Sequence, residues 1–251
     1  MSAPLLDVKG LTKSFGGLVA TDGLDLGVSA GETHAVIGPN GAGKTTLLAQ
    51  LAGQLRPDAG TIHFDGADIT GLSAPARSLR GLARSFQITS IFRDFTVLDN
   101  VALAIQAHAG HSFRLWQPAR RDAALRDPAG AILERVGLGG RAEVVAGNLA
   151  HGEQRQLEIA MALGTRPKLL LLDEPMAGMG GEDSERMKAF LGSLKGTCTM
   201  LLVEHDMDAV FTLADRVTVM VYGRALACGA PAEIRADERV RQAYLGDEEG
   251  V

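Results

Sequence analysis

A chain of 251 residues, 46% of them hydrophobic, has material for a sizeable core, and with aromatics at only 4% that core must be aliphatic. A net charge of −5 excludes a broad polyanion-binding face, so no nucleic-acid partner is expected, although one local anion site remains compatible. No stretch approaches the roughly 18 apolar residues of a membrane helix, and the opening MSAPLLDVKG lacks the charged-then-apolar pattern of a secretory signal. Cys198 and Cys228 lie in apolar stretches without a second Cys or His at ligand spacing, which predicts two buried free thiols.

In chain order, residues 5–9, 18–28 and 33–37 read as strands separated by glycine-containing turns. A glycine-rich loop opens at Gly38, and a helix follows over 45–55 with Leu47, Leu48 and Leu51 on one face. A strand at 61–64 pairs with a partner near Ile69 around the turn Asp65-Gly66. From about 74 to 164 strand runs disappear, and helical patterns occupy 96–109, 120–138 and 154–163. Residues 168–172 and 199–203 are short apolar runs of the kind buried on both faces of a parallel sheet. A hairpin over 216–222 and 224–228 turns at Gly223, and a terminal helix starts at Pro231.

The loop reads GPNGAGKT. To cradle phosphates, successive backbone N–H groups must point inward while side chains stay clear, which explains Gly38, Gly41 and Gly43. The helix behind the loop aims its positive end at the anion. Lys44 supplies a cation for the β- and γ-phosphates, and Thr45 a hydroxyl for Mg²⁺. The strand ending in Asp173-Glu174 places two carboxylates where α/β sheets bind ligands: Asp173 for the metal's water shell, Glu174 to accept a proton from the attacking water. The run TMLLVEHD ends a second such strand, where His205 is either a sensor of the γ-phosphate or a structural or surface residue.

Together GPNGAGKT, LLLLDEP and VEHD, with LAHGEQRQLEIAMAL ahead of the second, resemble the ATP-binding subunit of an ABC transporter over nearly the whole chain. The closer resemblance is to the ATPases of branched-chain amino acid importers, carried by LTKSFGGLVA, GLARSFQITSIFRDFTVLDNV, LAHGEQRQLEIAMAL and LLLLDEPMAGMG. The resemblance implies an α/β fold: a P-loop NTPase core of mostly parallel sheet, an antiparallel β subdomain and an inserted α-helical subdomain. It implies one domain over 1–251, with about 1–85 and 165–251 forming the β-rich core and about 86–164 the helical part.

The implied nucleotide site is Gly38, Pro39, Asn40, Gly41, Ala42, Gly43, Lys44, Thr45 and Thr46. Phe15 matches the aromatic that stacks on adenine, with a core or strand Phe as the alternative. Gln87 matches a glutamine that contacts metal and water and couples to the membrane partner. The metal set is then Thr45, Gln87 and Asp173, and the catalytic set Glu174, His205 and Gln87. Residues Ala150, His151, Gly152 and Glu153, with Leu149, match the LSGGQ signature, which in the family covers ATP held by a second subunit.

Two positions depart from the pattern. Ala150 replaces the signature serine, removing a hydroxyl whose hydrogen bond to a charged group is worth roughly 1.5–3 kcal/mol. Gly180 stands where the family has an aspartate that crosses to the second subunit, so contact there is through backbone.

The implied function is ATP hydrolysis with Mg²⁺, powering import of branched-chain amino acids or similar small solutes. The implied partners are a second identical or related ATPase, transmembrane permeases and, indirectly, a solute-binding protein. The implied location is peripheral, on the cytoplasmic face of the membrane. Residues 88–97 are expected to receive the permease, and the basic stretch around Trp116 corresponds to an extra helical insertion. The competing readings are an exporter of lipid or lipopolysaccharide, an ABC protein acting on DNA or ribosomes, and a non-catalytic ATP-binding regulator.

Overall fold

The computed structural model describes residues 3–85, 91–109 and 122–245. Strands β1 (Leu6–Phe15), β2 (Leu18–Val28), β4 (Ala59–Phe64) and β5 (Ala67–Asp68) form an antiparallel sheet ordered β2-β1-β4-β5. Strands β3 (Thr33–Ile37), β6 (Leu82–Arg84), β7 (Leu169–Asp173), β8 (Thr199–Val203), β9 (Arg216–Val221) and β10 (Arg224–Gly229) form a second sheet ordered β10-β9-β3-β8-β7-β6. All its neighbours pair in parallel except β10, which returns antiparallel to β9.

Every residue of β3, β7 and β8 is buried, which accounts for their mostly apolar sequences, with polar residues only at the strand ends. The run of leucines in β7 hides an alternation. Leu170 and Leu172 face one cluster with Met200 and Leu202, while Leu169 and Leu171 face another with Leu201 and Val203. The first cluster is closed by α3 (Val97–Ala109), α4 (Ala123–Arg135), α5 (His151–Gly164) and α6 (Gly181–Leu194). The second is closed by α1 (Lys44–Leu51) and the antiparallel sheet. Helices α2 (Ala74–Leu79), α7 (Met207–Leu213), α8 (Pro231–Ala236) and α9 (Glu238–Leu245) complete the chain.

Several expectations are corrected. β1 runs on to Phe15, because register shifts after Val8, Leu11 and Lys13 break the alternation that marks a strand. α1 stops at Leu51, with Gly53 at φ 75° just beyond. β6 is a strand inside the stretch expected to lack them; three residues are too few to show a period, and only pairing with β7 forms it. α5 starts at His151, three residues before the expected 154. α6 was not anticipated, although Met187, Phe190, Leu191 and Leu194 give it a buried stripe. The terminal helix divides at Asp237. Cys198 is buried as expected, but Cys228 is exposed, because β10 is the edge strand, and its Sγ lies 3.1 Å from an Arg216 guanidinium nitrogen.

Candidate nucleotide site

The loop after β3 is packed too tightly for side chains at two points. A Cβ on Gly38 would lie 2.0 Å from the Met220 carbonyl oxygen, and one on Gly43, 1.9 Å from that of Ala20. Both glycines have positive φ, 150° and 100°. The turn between β9 and β10 buttresses the loop, with the Gly223 N–H donating to the Ala42 carbonyl at 3.0 Å. The Lys44 ammonium is buried and donates to the carbonyls of Gly38 (2.6 Å) and Pro39 (2.9 Å). Burial lowers its pKa, opposed by the charges of Glu174 and Asp173.

Asp173, at the end of β7, is fully buried. Its Oδ2 accepts from an Arg84 guanidinium at 2.9 Å, while its Oδ1 has no hydrogen-bond partner among the described residues. Glu174 adopts a left-handed backbone, φ 46°, rare for a residue with a side chain. This turn carries its carboxylate out of the strand, and Glu174 Oε1 lies 2.8 Å from His205 Nε2. A cleft of about 270 Å³ is lined by Phe15, by Asn40 through Thr46, and by Glu174 and His205. Phe15 is half exposed at its rim, which removes the core alternative but leaves the strand one, since it is the last residue of β1, and the Lys13 ammonium lies 5.7 Å from its ring centroid.

The signature residues do not join this cleft. Ala150, Gly152 and Glu153 line a separate cavity of about 690 Å³ with Asp183 and Arg186, and His151 is exposed. The Glu153 carboxylate accepts from the Ala150 N–H at 3.0 Å and from Arg141 at 3.1 Å, shaping the start of α5. Gln87 and Trp116 lie outside the described residues, as do 88–90 of the expected permease-receiving stretch. Within the remainder of that stretch, Phe92 and Phe95 are exposed and stack with centroids 5.5 Å apart.

Three further side chains hold the site, and the sequence reading missed them. Arg155 on α5 reaches the carbonyls of Asp173 (3.4 Å) and Glu174 (3.3 Å) and pairs with Glu158 at 2.9 Å. Arg84 holds Asp173. Glu204 is buried between the ends of β7 and β8; burial raises its pKa, and the N–H groups of Met176, His205 and Asp206 oppose the rise. Arg155 sits among polar neighbours in HGEQRQ, so nothing local marked it, and its burial alone shows its meaning.

A family model described as ABC transporter matches residues 21–177, and one described as branched-chain amino acid ATP-binding cassette transporter matches 226–250. The chain is 40% identical over 254 aligned residues to the high-affinity branched-chain amino acid transport ATP-binding protein BraF of Pseudomonas aeruginosa, covering 98% of this chain and 100% of that protein. It is 41% identical, with the same coverage, to LivG of Salmonella typhimurium, which carries the same description. Among solved structures, an ATP-binding cassette of an ABC transporter in its ADP conformation superposes with a TM-score of 0.85 at 30% identity, covering 98% of this chain and 100% of that one. A nucleotide-free cassette gives 0.83 at 29% identity, covering 96% and 98%.

Proposed function

This chain belongs to the ABC transporter ATP-binding family, and from that premise we propose how its residues hydrolyse ATP and what the hydrolysis drives. The observation that carries the reading is the single cleft shared by the glycine loop, Glu174 and His205. Adenine stacks on Phe15, the loop N–H groups from Asn40 to Thr46 surround the phosphates, and Lys44 exchanges its carbonyl partners for phosphate oxygens. Glu174 accepts a proton as the water oxygen bonds to the γ-phosphorus and the bond to the β-phosphate oxygen breaks. His205, held by Glu174, meets the γ-phosphate and registers its release.

Thr45 and Asp173, with Gln87, are the residues to hold Mg²⁺. The buried Asp173 Oδ1, which has no hydrogen-bond partner among the described residues, fits that assignment, since a cation or its bound water would satisfy it. When bound, the ion neutralises phosphate charge.

We further infer that the chain powers uptake of branched-chain amino acids or similar small solutes, on the ground that its relatives' names describe branched-chain amino acid transport. The support is full-length identity to import subunits together with a C-terminal match at 226–250. Its partners are a second ATPase, membrane-embedded permeases and, indirectly, a solute-binding protein, reached from the cytoplasmic face. No helix among the described residues is long and apolar enough to cross a membrane, which suits that peripheral position. We read residues about 86–164 as the helical part that meets the permeases, through Phe92 and Phe95. Co-purification of the complex, followed by ATP-dependent uptake of labelled leucine into vesicles, tests this reading. A complex with lipid-exporting permeases overturns it, and absence of leucine uptake overturns its branched-chain amino acid part.

A further inference from the structure

The ends of β7 and β8 carry the two groups assigned to hydrolysis, and one buried carboxylate ties them together. Glu204 is only 4% exposed. Its Oε1 accepts from the Met176 N–H at 3.0 Å, and its Oε2 from the His205 N–H at 3.0 Å, with the Asp206 N–H at 3.5 Å. Met176 lies two residues past Glu174 and His205 one residue past Glu204, so a single side chain spans both turns. A backbone bond from the Glu174 N–H to the Val203 carbonyl at 2.9 Å closes the same junction.

Burying a carboxylate costs free energy that an apolar side chain of similar size does not incur. A left-handed φ of 46° at Glu174 is also costly and persists only where the surroundings over-determine it. Both costs fall at one junction, and its product is the 2.8 Å approach of Glu174 Oε1 to His205 Nε2. We propose that Glu204 is a positioning residue for ATP hydrolysis, locking the backbone turns after β7 and β8 in the register that sets Glu174 against His205. It touches no substrate; it acts through the two residues it aligns. The proposal rests on the roles given above to Glu174 and His205.

The test uses the full-length chain and counts turnover per nucleotide-binding site, so that loss of folded protein does not register. Glu204→Gln keeps the size of the side chain but replaces one acceptor with an NH₂ group facing an N–H. The expected result is a kcat about 10- to 100-fold lower, because ångström-scale misplacement of reacting groups costs that much. KM and the affinity for a fluorescent ATP analogue stay within about twofold, since the phosphate loop is untouched. Glu204→Asp, which keeps both acceptors on a shorter stem, gives a smaller loss of the same kind. Combined with His205→Ala, Glu204→Gln adds less than its separate loss, because the part of its effect that passes through the histidine contact is already gone.

A Glu204→Gln protein within twofold of wild-type turnover overturns the proposal. So does a double variant whose losses multiply, or a fall in nucleotide affinity that matches the fall in kcat. If Glu174→Gln and His205→Ala themselves retain wild-type turnover, the assigned roles fail and the proposal with them. If they lose turnover and Glu204→Gln does not, only the proposal fails.

Discussion

At Glu174 the chain accepts a rare backbone conformation to turn a carboxylate out of a buried strand toward His205. Glu174→Gln removes the proposed proton acceptor without disturbing the loop, so turnover in an ATPase assay should fall by about 100-fold or more while nucleotide affinity persists. Gly43→Ala acts differently. Its methyl would meet the Ala20 carbonyl at 1.9 Å with φ at 100°, so nucleotide binding is lost and stability drops by about 2–4 kcal/mol in denaturant titration. Glu204 adds a pH dependence. Burial raises its pKa above the ordinary glutamate value of 4.5, so the folded state binds its proton more tightly than the unfolded chain does. Its contribution to stability is therefore fully present below that value and is lost as pH rises through the raised folded pKa. The Tm of wild type relative to Glu204→Gln should decline across that window, and a difference that does not change with pH would contradict it.

Among the elements, α1 depends on a support far from the cleft. Its last carbonyls, those of Gln50 and Leu51, accept from the Arg77 guanidinium at 2.8 and 2.7 Å, and the same group reaches the carbonyls of Thr70 and Leu72. Arg77→Met leaves these acceptors buried and unmet, and should cost about 3 kcal/mol in chemical denaturation. Element boundaries were the part least legible in the sequence. Central strands β3 and β8 were readable to the residue, because burial on both faces leaves them short apolar runs opened by one or two polar residues and bounded by turns. By contrast, β6 and the extension of β1 were not, since pairing with neighbours and bulges create them without a local pattern.

For the whole molecule, the partition of the site matters most. The loop, Glu174 and His205 share one cleft, and Ala150, Gly152 and Glu153 line another, which fits a proposed arrangement in which each chain's signature covers its partner's nucleotide. Two inactive variants should then complement: Lys44→Ala spoils the loop, Gly152→Asp spoils the signature, and a mixed pair retains one intact composite site. An equimolar mixture should recover about a quarter of wild-type ATPase, because half the pairs are mixed and each keeps one of two sites. Activity no higher than that of either variant alone contradicts the composite site.

The sequence by itself singled out the glycine loop, the two carboxylates at the end of β7 and the histidine after β8 as the candidates for phosphate binding and hydrolysis, because that chemistry demands fixed residue types in a short span of chain. It could not show that Glu204, Arg155 and Arg84 hold those groups in place. Their importance comes from burial and from partners up to 89 residues away, as with Arg84 and Asp173, and such contacts leave no local period or motif. Tertiary structure alone decided which charges are buried, and so which of them align the site.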